Sequence, residues 1–172
     1  RGPQRELLES LNLWSGAVEA EFGRGLSPIS HLASALREGV RLAVHVNQAS
    51  DEDLRLLAAC GTTVAYCPRA SAYFRAHESF GSHRYREMLE AGVRVVLGTD
   101  SILNLRVDEA SPRMGTLEDM RLLFARDGMN ATDLLAMGTT QAAAALGFDA
   151  RSLTLRPGGD LGGVLGVALE SG

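Results

Sequence analysis

Three short apolar runs, each rich in β-branched residues, lie along the middle of this chain of 172 residues. They cover 41–47 (RLAVHVN), 62–67 (TTVAYC) and 93–101 (VRVVLGTDS). A strand that is buried on both faces has apolar residues at nearly every position, because neither face contacts water. The three runs therefore predict three strands of one parallel sheet.

Helical segments separate these runs. Ser50 is the predicted N-cap of a helix over 51–59, whose first turn carries the acidic residues favoured at a helix N-terminus. Another helix is predicted over 83–91 and ends at Gly92, a residue type common at helix C-termini. Strands and helices thus alternate as in successive βαβ units. Further helices are predicted over 3–14, 28–37, 116–126 and 131–146, with a joint at 23–25 and long loops over 69–81 and 102–115.

Residues with chemically active side chains stand where the predicted strands end. His45 lies near the end of the first run, and Asp100 follows the third. The carboxyl ends of parallel strands meet at one edge of a sheet, and (β/α) barrels carry their active sites there. The alternatives are a turn cap for Asp100 and a buried core position for His45. Two such residues at one edge, with Cys67 ending the strand between them, favour a site.

Five short motifs follow one another in the chain: VHVN at 44–47 with Asp51 and Glu52 behind it, YCPR at 66–69, MLEAGV at 88–93, LGTDS at 97–101 and LEDMR at 117–121. In this order and spacing they resemble the amidohydrolase superfamily, in its branch of metal-dependent deaminases and chlorohydrolases. The resemblance covers most of 26–170. It implies an α/β fold in which residues 1–150 form the C-terminal portion of a (β/α)8 TIM-like barrel. This portion would contain strands six to eight and their helices. The segment LRPGGDL at 155–161 implies that 151–172 starts the return to a small β-domain.

The resemblance also implies roles for individual residues. Asp100 would be a metal ligand and would accept the proton of the attacking water. His45 would polarise the leaving group, shuttle a proton or bind a second metal. Ser101 would hold Asp100 by a hydrogen bond or cap a turn. Arg69 would bind a substrate carboxylate or ring edge, with a salt bridge as the alternative, and Ser71 stands at a substrate-binding position where related enzymes carry asparagine or histidine.

The implied cofactor is a divalent metal, zinc in the first place and iron as the alternative. The family holds it with a His-x-His pair and a further strand-end histidine, which have no counterpart here, so the full ligand set is not expected in this chain. His77 and His83, six residues apart in a predicted loop, are a minor alternative pair of ligands. Because a complete barrel takes about 250 residues, the expected partners are the N-terminal half of the barrel, a small-molecule substrate and further copies in a homo-oligomer.

Composition narrows the class of protein. A hydrophobic content of 45% and a net charge of −4 are ordinary for a cytoplasmic globular α/β protein. The 17 basic residues are scattered, which argues against nucleic-acid binding, and no apolar run approaches the roughly 20 residues of a membrane span. Cys60 and Cys67 are expected to be reduced thiols.

These observations lead to one main hypothesis and two alternatives. The main hypothesis is a metal-dependent hydrolase that acts on a carbon–nitrogen or carbon–chlorine bond of a small heterocycle and is inactive as the isolated chain. One alternative is a degenerate amidohydrolase-like half that serves as a non-catalytic interaction module. The other is an unrelated α/β binding module in which His45 and Asp100 are structural. That module would carry a glycine-rich phosphate loop, and the sequence has none.

Overall fold

A parallel sheet of three strands forms the centre of the molecule. The structure is a computed structural model and describes residues 3–22, 25–39, 41–104, 114–154 and 156–159. The strands are β1 (Leu42–Val44), β2 (Thr63–Tyr66) and β3 (Val95–Leu97), and β2 lies between the other two. Both pairs are parallel, with Val44 opposite Ala65 and Tyr66 opposite Leu97. The predicted sheet is confirmed, although each strand is shorter than its apolar run.

Short helices surround this sheet. Two 3-10 turns, Ile102–Asn104 and Ala150–Leu153, accompany them. The α-helices are α1 (Pro3–Ser10), α2 (Gly16–Phe22), α3 (Pro28–His31), α4 (Ala33–Glu38), α5 (Asp51–Ala59), α6 (Pro68–Tyr73), α7 (Ala76–Phe80), α8 (Tyr85–Glu90), α9 (Thr116–Asp127), α10 (Ala131–Gly138) and α11 (Thr140–Ala145).

Three helices that were predicted as continuous are divided in the structure. The segment 3–14 breaks after Ser10, where Asn12 adopts a left-handed backbone with φ 56°. The segment 28–37 divides at Leu32, and 131–146 divides at Thr139, whose backbone angles (φ −130°, ψ −90°) are not helical. Each break depends on the local backbone conformation, which hydrophobic periodicity alone does not reveal.

The prediction of a loop over 69–81 is wrong, because this segment forms α6 and α7. Pro68 lies in the first turn of α6, where its fixed φ suits a helix and its missing N–H is not needed. Arg75, with φ 50°, separates the two helices, and Gly81, with φ 75°, ends α7. The aromatic and polar composition that suggested a loop belongs instead to exposed helix faces.

The hydrophobic core lies between the sheet and helices α5, α8, α9 and α10. Its centre combines strand residues with long apolar side chains of the helices, and these are almost completely buried. This packing fixes the plane of the sheet and therefore the positions at which the three strands end. The central residues are Val64, Val95, Leu57, Met88, Leu123, Leu134 and Met137.

A buried carboxylate joins the first part of the chain to α5. Asp53 is fully buried, and it completes a capping box with Ser50, the predicted N-cap. Its carboxylate also accepts hydrogen bonds from the hydroxyls of Ser27 at 2.5 Å and Ser30 at 2.8 Å. Burial by itself raises the pKa of Asp53, but the hydrogen bonds from Ser27, Ser50 and Ser30 lower the pKa overall. The carboxylate is therefore ionised and anchors α3 against α5.

Several sequence predictions lie outside the described residues. These are the joint at 23 and 24, the part of the 102–115 loop at 105–113, and most of the predicted β-domain segment over 151–172. Within the part of the chain that the structure describes, no helix has the length and apolar character that a membrane crossing requires.

Candidate functional site

The chain leaves all three strands at the same edge of the sheet. His45 follows β1, Cys67 follows β2, and Asp100 lies three residues beyond β3. Because the strands are parallel, these residues share one edge, as predicted. Strands in a sheet lie about 4.8 Å apart, so the outer strands β1 and β3, on either side of β2, lie roughly 10 Å apart.

The backbone at both outer strand ends is strained. His45 (φ 67°), Val46 (φ 50°) and Asp100 (φ 63°) all adopt left-handed conformations. Such angles are uncommon for residues other than glycine, and they are outliers for a β-branched residue such as Val46. Each costs on the order of 1–3 kcal/mol and persists only where the surrounding structure enforces it, a situation that clusters at functional sites.

A tight turn places His45 at the end of β1. The N–H of His45 donates to the carbonyl of Ala65 at 2.9 Å, which continues the ladder between β1 and β2. The N–H of Val46 then donates to the carbonyl of Val44 at 3.0 Å, which closes a γ-turn centred on His45. A γ-turn with positive φ is rare and strained. The strand therefore ends abruptly at His45.

The carbonyl of His45 receives a hydrogen bond from a distant histidine. His83 Nε2 lies 2.6 Å from this oxygen, and a carbonyl only accepts, so Nε2 carries the proton. The His83 ring stacks on Tyr66 with 3.8 Å between the ring centroids. Burial lowers the pKa of His83 and so favours the neutral ring. Sequence reasoning missed this contact because 38 residues separate the two histidines.

Asp100 is held by an asparagine one turn further along the chain. Asn104 Nδ2 donates to Asp100 Oδ2 at 3.0 Å, and only 5% of Asn104 is exposed. The Ser101 hydroxyl instead accepts from the N–H of Leu103 at 3.2 Å, as a turn cap does. Of the two roles predicted for Ser101, the structure shows the turn cap, and the hydrogen bond to Asp100 comes from Asn104 instead. Asn104 could have been identified from its position four residues after Asp100, because one helical turn brings side chains at this spacing close together.

Cys67 packs between the two outer strand ends. A Cβ added to Gly98 would lie 2.9 Å from Cys67 Sγ, so the glycine of the Gly-Thr-Asp motif makes room for the thiol. Burial, together with the nearby carboxylates of Asp100 and Asp119, raises the pKa of Cys67 to about 11. The thiol is therefore protonated at neutral pH, which argues against a nucleophilic role.

The predicted substrate-binding residues Arg69 and Ser71 both contact other residues of this chain. Arg69 Nη2 lies 3.0 Å from Asp119 Oδ2 and 3.1 Å from the carbonyl of Gly115, which links α6 to α9. Burial raises the pKa of Asp119, and the Arg69 guanidinium opposes this effect. Ser71 Oγ donates to Asn47 Oδ1 at 2.8 Å, which places Ser71 beside the turn that follows β1.

The described residues do not by themselves fit a closed metal centre. A zinc ion takes three or four protein ligands. Among the residues that the structure describes, no three histidine, cysteine, aspartate or glutamate side chains come together as such a set. His83, one of the alternative ligands, uses Nε2 for the His45 carbonyl. His45 and Asp100 thus remain as two donors at one sheet edge.

Comparison with known proteins points to one family. A model of the amidohydrolase family matches residues 12–160. An imidazolonepropionase of Symbiobacterium thermophilum is 35% identical over 133 residues, which are 77% of this chain and 29% of that protein. A 5-methylthioadenosine/S-adenosylhomocysteine deaminase of the same organism is 30% identical over 145 residues, which are 81% of this chain and 32% of that protein. The chain thus spans about 30% of the length of these relatives.

A likeness in fold is found among solved structures. It is the crystal structure of an uncharacterised protein, with a TM-score of 0.53 and 18% sequence identity. The match covers 76% of this chain and 34% of that protein.

Proposed function

Because this chain belongs to the amidohydrolase family, we propose that it carries part of the active site of a metal-dependent hydrolase of carbon–nitrogen bonds. Its three strands are then strands six to eight of a (β/α)8 barrel. The observation that carries the proposal is that His45 and Asp100 follow the carboxyl ends of parallel strands, each in a left-handed backbone. Active sites of such barrels lie at this edge.

Asp100 is the proposed proton acceptor. A divalent metal, zinc or alternatively iron, would supply an activated water, with its pKa lowered to about 7, as the nucleophile. The Asp100 carboxylate would help to hold the metal and would take the proton of the attacking water. Asn104 fixes one carboxylate oxygen and thereby the orientation of the group. The further ligands would come from the N-terminal half of the barrel.

His45 is the proposed group that polarises the substrate or shuttles a proton. An imidazole suits this role because it changes charge near neutral pH. Ser71 is the proposed substrate contact, since its hydroxyl and Asn47 lie beside the end of β1. Arg69 forms an ion pair with Asp119 and a hydrogen bond to the carbonyl of Gly115, and the Ser101 hydroxyl accepts from the N–H of Leu103. These contacts support structural roles for both residues.

The substrate class follows from the relatives. Their names point to imidazolone and adenosine rings, so we propose a small nitrogen heterocycle whose ring C–N bond or exocyclic amine is hydrolysed. Attack of hydroxide at the ring carbon, followed by transfer of the proton to the leaving nitrogen, releases ammonia from an exocyclic amine or opens a ring amide.

The test compares Asp100→Asn with Asp133→Asn in the full-length protein. Asp133 lies exposed in the first turn of α10 and controls for the loss of one carboxylate. Ammonia release from 5-methylthioadenosine and ring opening of imidazolonepropionate are the readouts. Asp100→Asn is expected to lower turnover by at least about 1,000-fold, because an amide cannot accept the proton. Equal turnover of Asp100→Asn and Asp133→Asn would refute the role of Asp100. Absence of hydrolysis in a folded, metal-loaded protein would favour the non-catalytic interaction module.

A further inference from the structure

The contact between His83 and His45 joins two parts of the chain that lie 38 residues apart in the sequence. His83 lies between α7 and α8, whereas His45 ends β1. Their hydrogen bond is short, at 2.6 Å, and runs from the ring of one residue to the backbone of the other. The side chain of His45 is left out of this bond and remains available for another contact.

This bond completes the hydrogen bonding of the turn at His45. The N–H of His45 belongs to the β1–β2 ladder, and the N–H of Val46 closes the γ-turn. The carbonyl of His45 takes its donor from the side chain of His83. Two consecutive left-handed residues, His45 and Val46, are strained and need surrounding contacts to persist. Loss of the donor would therefore allow the turn to relax.

The His83 ring is itself held in place by an aromatic stack. Tyr66, the last residue of β2, lies 3.8 Å from it with an angle of 18° between the rings, and Tyr85 stacks on Tyr66 at 5.3 Å. The Tyr66 hydroxyl accepts a hydrogen bond from Arg126, and the Tyr85 hydroxyl donates to Asp127 at 2.8 Å. The stack fixes the plane of the imidazole, and the hydrogen bond fixes its position within that plane.

We propose that His83 is a positioning residue for His45: it holds the strained turn that sets the direction of the His45 imidazole at the sheet edge. This inference rests on the proposed function of His45. A histidine suits the position because it offers a flat ring for Tyr66 and a donor at the far edge of that ring. Phenylalanine would keep the stack without the donor, and glutamine would keep a donor without the stack.

The experiment separates these two features in the full-length enzyme. His83→Phe, His83→Gln and the control His31→Phe are compared for kcat, KM and bound metal, with whichever of 5-methylthioadenosine and imidazolonepropionate gives the higher turnover. His31 is an exposed histidine of α3 and has no role in the proposed site. We expect His83→Phe to lower kcat by about 10- to 100-fold, since a misplacement near 1 Å has effects of this size. KM and metal content should change little, and His83→Gln should recover most of the loss.

A second measurement needs no variant. The imidazole nitrogen shifts of the wild-type protein report which ring nitrogen of His83 carries the proton. Protonation at Nε2 supports the proposal, and a proton at Nδ1 alone overturns it, because the carbonyl would then have no donor.

The outcomes distinguish this inference from the proposed function. If His45→Asn lowers kcat while folded His83→Phe keeps it within twofold, His83 is not a positioning residue and the proposed function stands. If His45→Asn itself leaves kcat unchanged, the proposed role of His45 fails, and the positioning of that side chain has no catalytic meaning.

Discussion

Asn104 donates a hydrogen bond from its side-chain amide to Oδ2 of Asp100, across a single 3-10 turn. The asparagine is almost completely buried, whereas Asp100 is exposed at the edge of the sheet. A buried neutral amide thus orients an exposed carboxylate that has a left-handed backbone. This relationship fixes the position of one of the two carboxylate oxygens.

Replacement of Asn104 should reduce turnover more than stability. We expect Asn104→Leu to lower kcat of the full-length enzyme by about 10-fold or more, because the Asp100 carboxylate becomes free to rotate. Asn130→Ala is the matched control. It removes the N-cap bond to the N–H of Thr132 and should cost about 1 kcal/mol of unfolding free energy without changing kcat. Loss of kcat in the control alone, or in both variants equally, would contradict a specific role for Asn104.

The contact between Gly98 and Cys67 predicts a non-additive pair of substitutions. Gly98→Ala should destabilise the protein by about 1–3 kcal/mol, because its Cβ would meet Cys67 Sγ at 2.9 Å. In a Cys67→Ala background the sulfur is absent, and the same substitution should cost clearly less. Urea unfolding of the two single variants and the double variant measures the coupling. Strict additivity would show that Gly98 is required for another reason.

Asp53 should contribute stability that depends on pH. Asp53→Asn is expected to lower the unfolding free energy at pH 7 by about 3 kcal/mol, because charge-assisted bonds from Ser27, Ser30 and Ser50 are lost or weakened. Glu52→Gln, an exposed neighbour in the same helical turn, is the control and should have little effect.

The sign of the pH dependence follows from the lowered pKa of Asp53. The unfolded chain binds a proton near its ordinary value of 3.8, and the folded protein does so only at lower pH. The contribution is therefore complete above this value and disappears as the pH falls through the folded pKa. The difference in stability between wild type and Asp53→Asn should shrink below about pH 4. A difference that stays constant down to pH 2.5 would contradict the ionised carboxylate.

The 172-residue chain alone should neither hold zinc tightly nor catalyse hydrolysis. Two donors, His45 and Asp100, fall short of the ligands that zinc requires. In the described residues β1 pairs only with β2, and Val44 on β1 is 52% exposed, so its outer edge is open to another strand. Addition of the N-terminal half of a related barrel should restore ammonia release. Stoichiometric zinc retained by the chain alone through dialysis against a weak chelator would show that its ligand set is larger.

The sequence alone determined the features that depend on neighbouring residues. The strands and their parallel arrangement follow from continuous apolar runs separated by helices, and α5 follows from the Ser50 cap and its acidic first turn. Asp100 and His45 were found because strand ends can be read from where such runs stop. The motifs likewise indicated the family that the comparison confirms.

The tertiary structure decided what depends on contacts between distant residues. The bond from His83 to His45 spans 38 residues, and the ion pair between Arg69 and Asp119 spans 50. No local pattern encodes such pairs, because each arises only when helices pack on the sheet and bring buried polar groups together. For the same reason the helices α6 and α7 were mistaken for a loop. Packing of α6 against α9, rather than periodicity, stabilises α6, and the left-handed backbone at Arg75 separates the two helices.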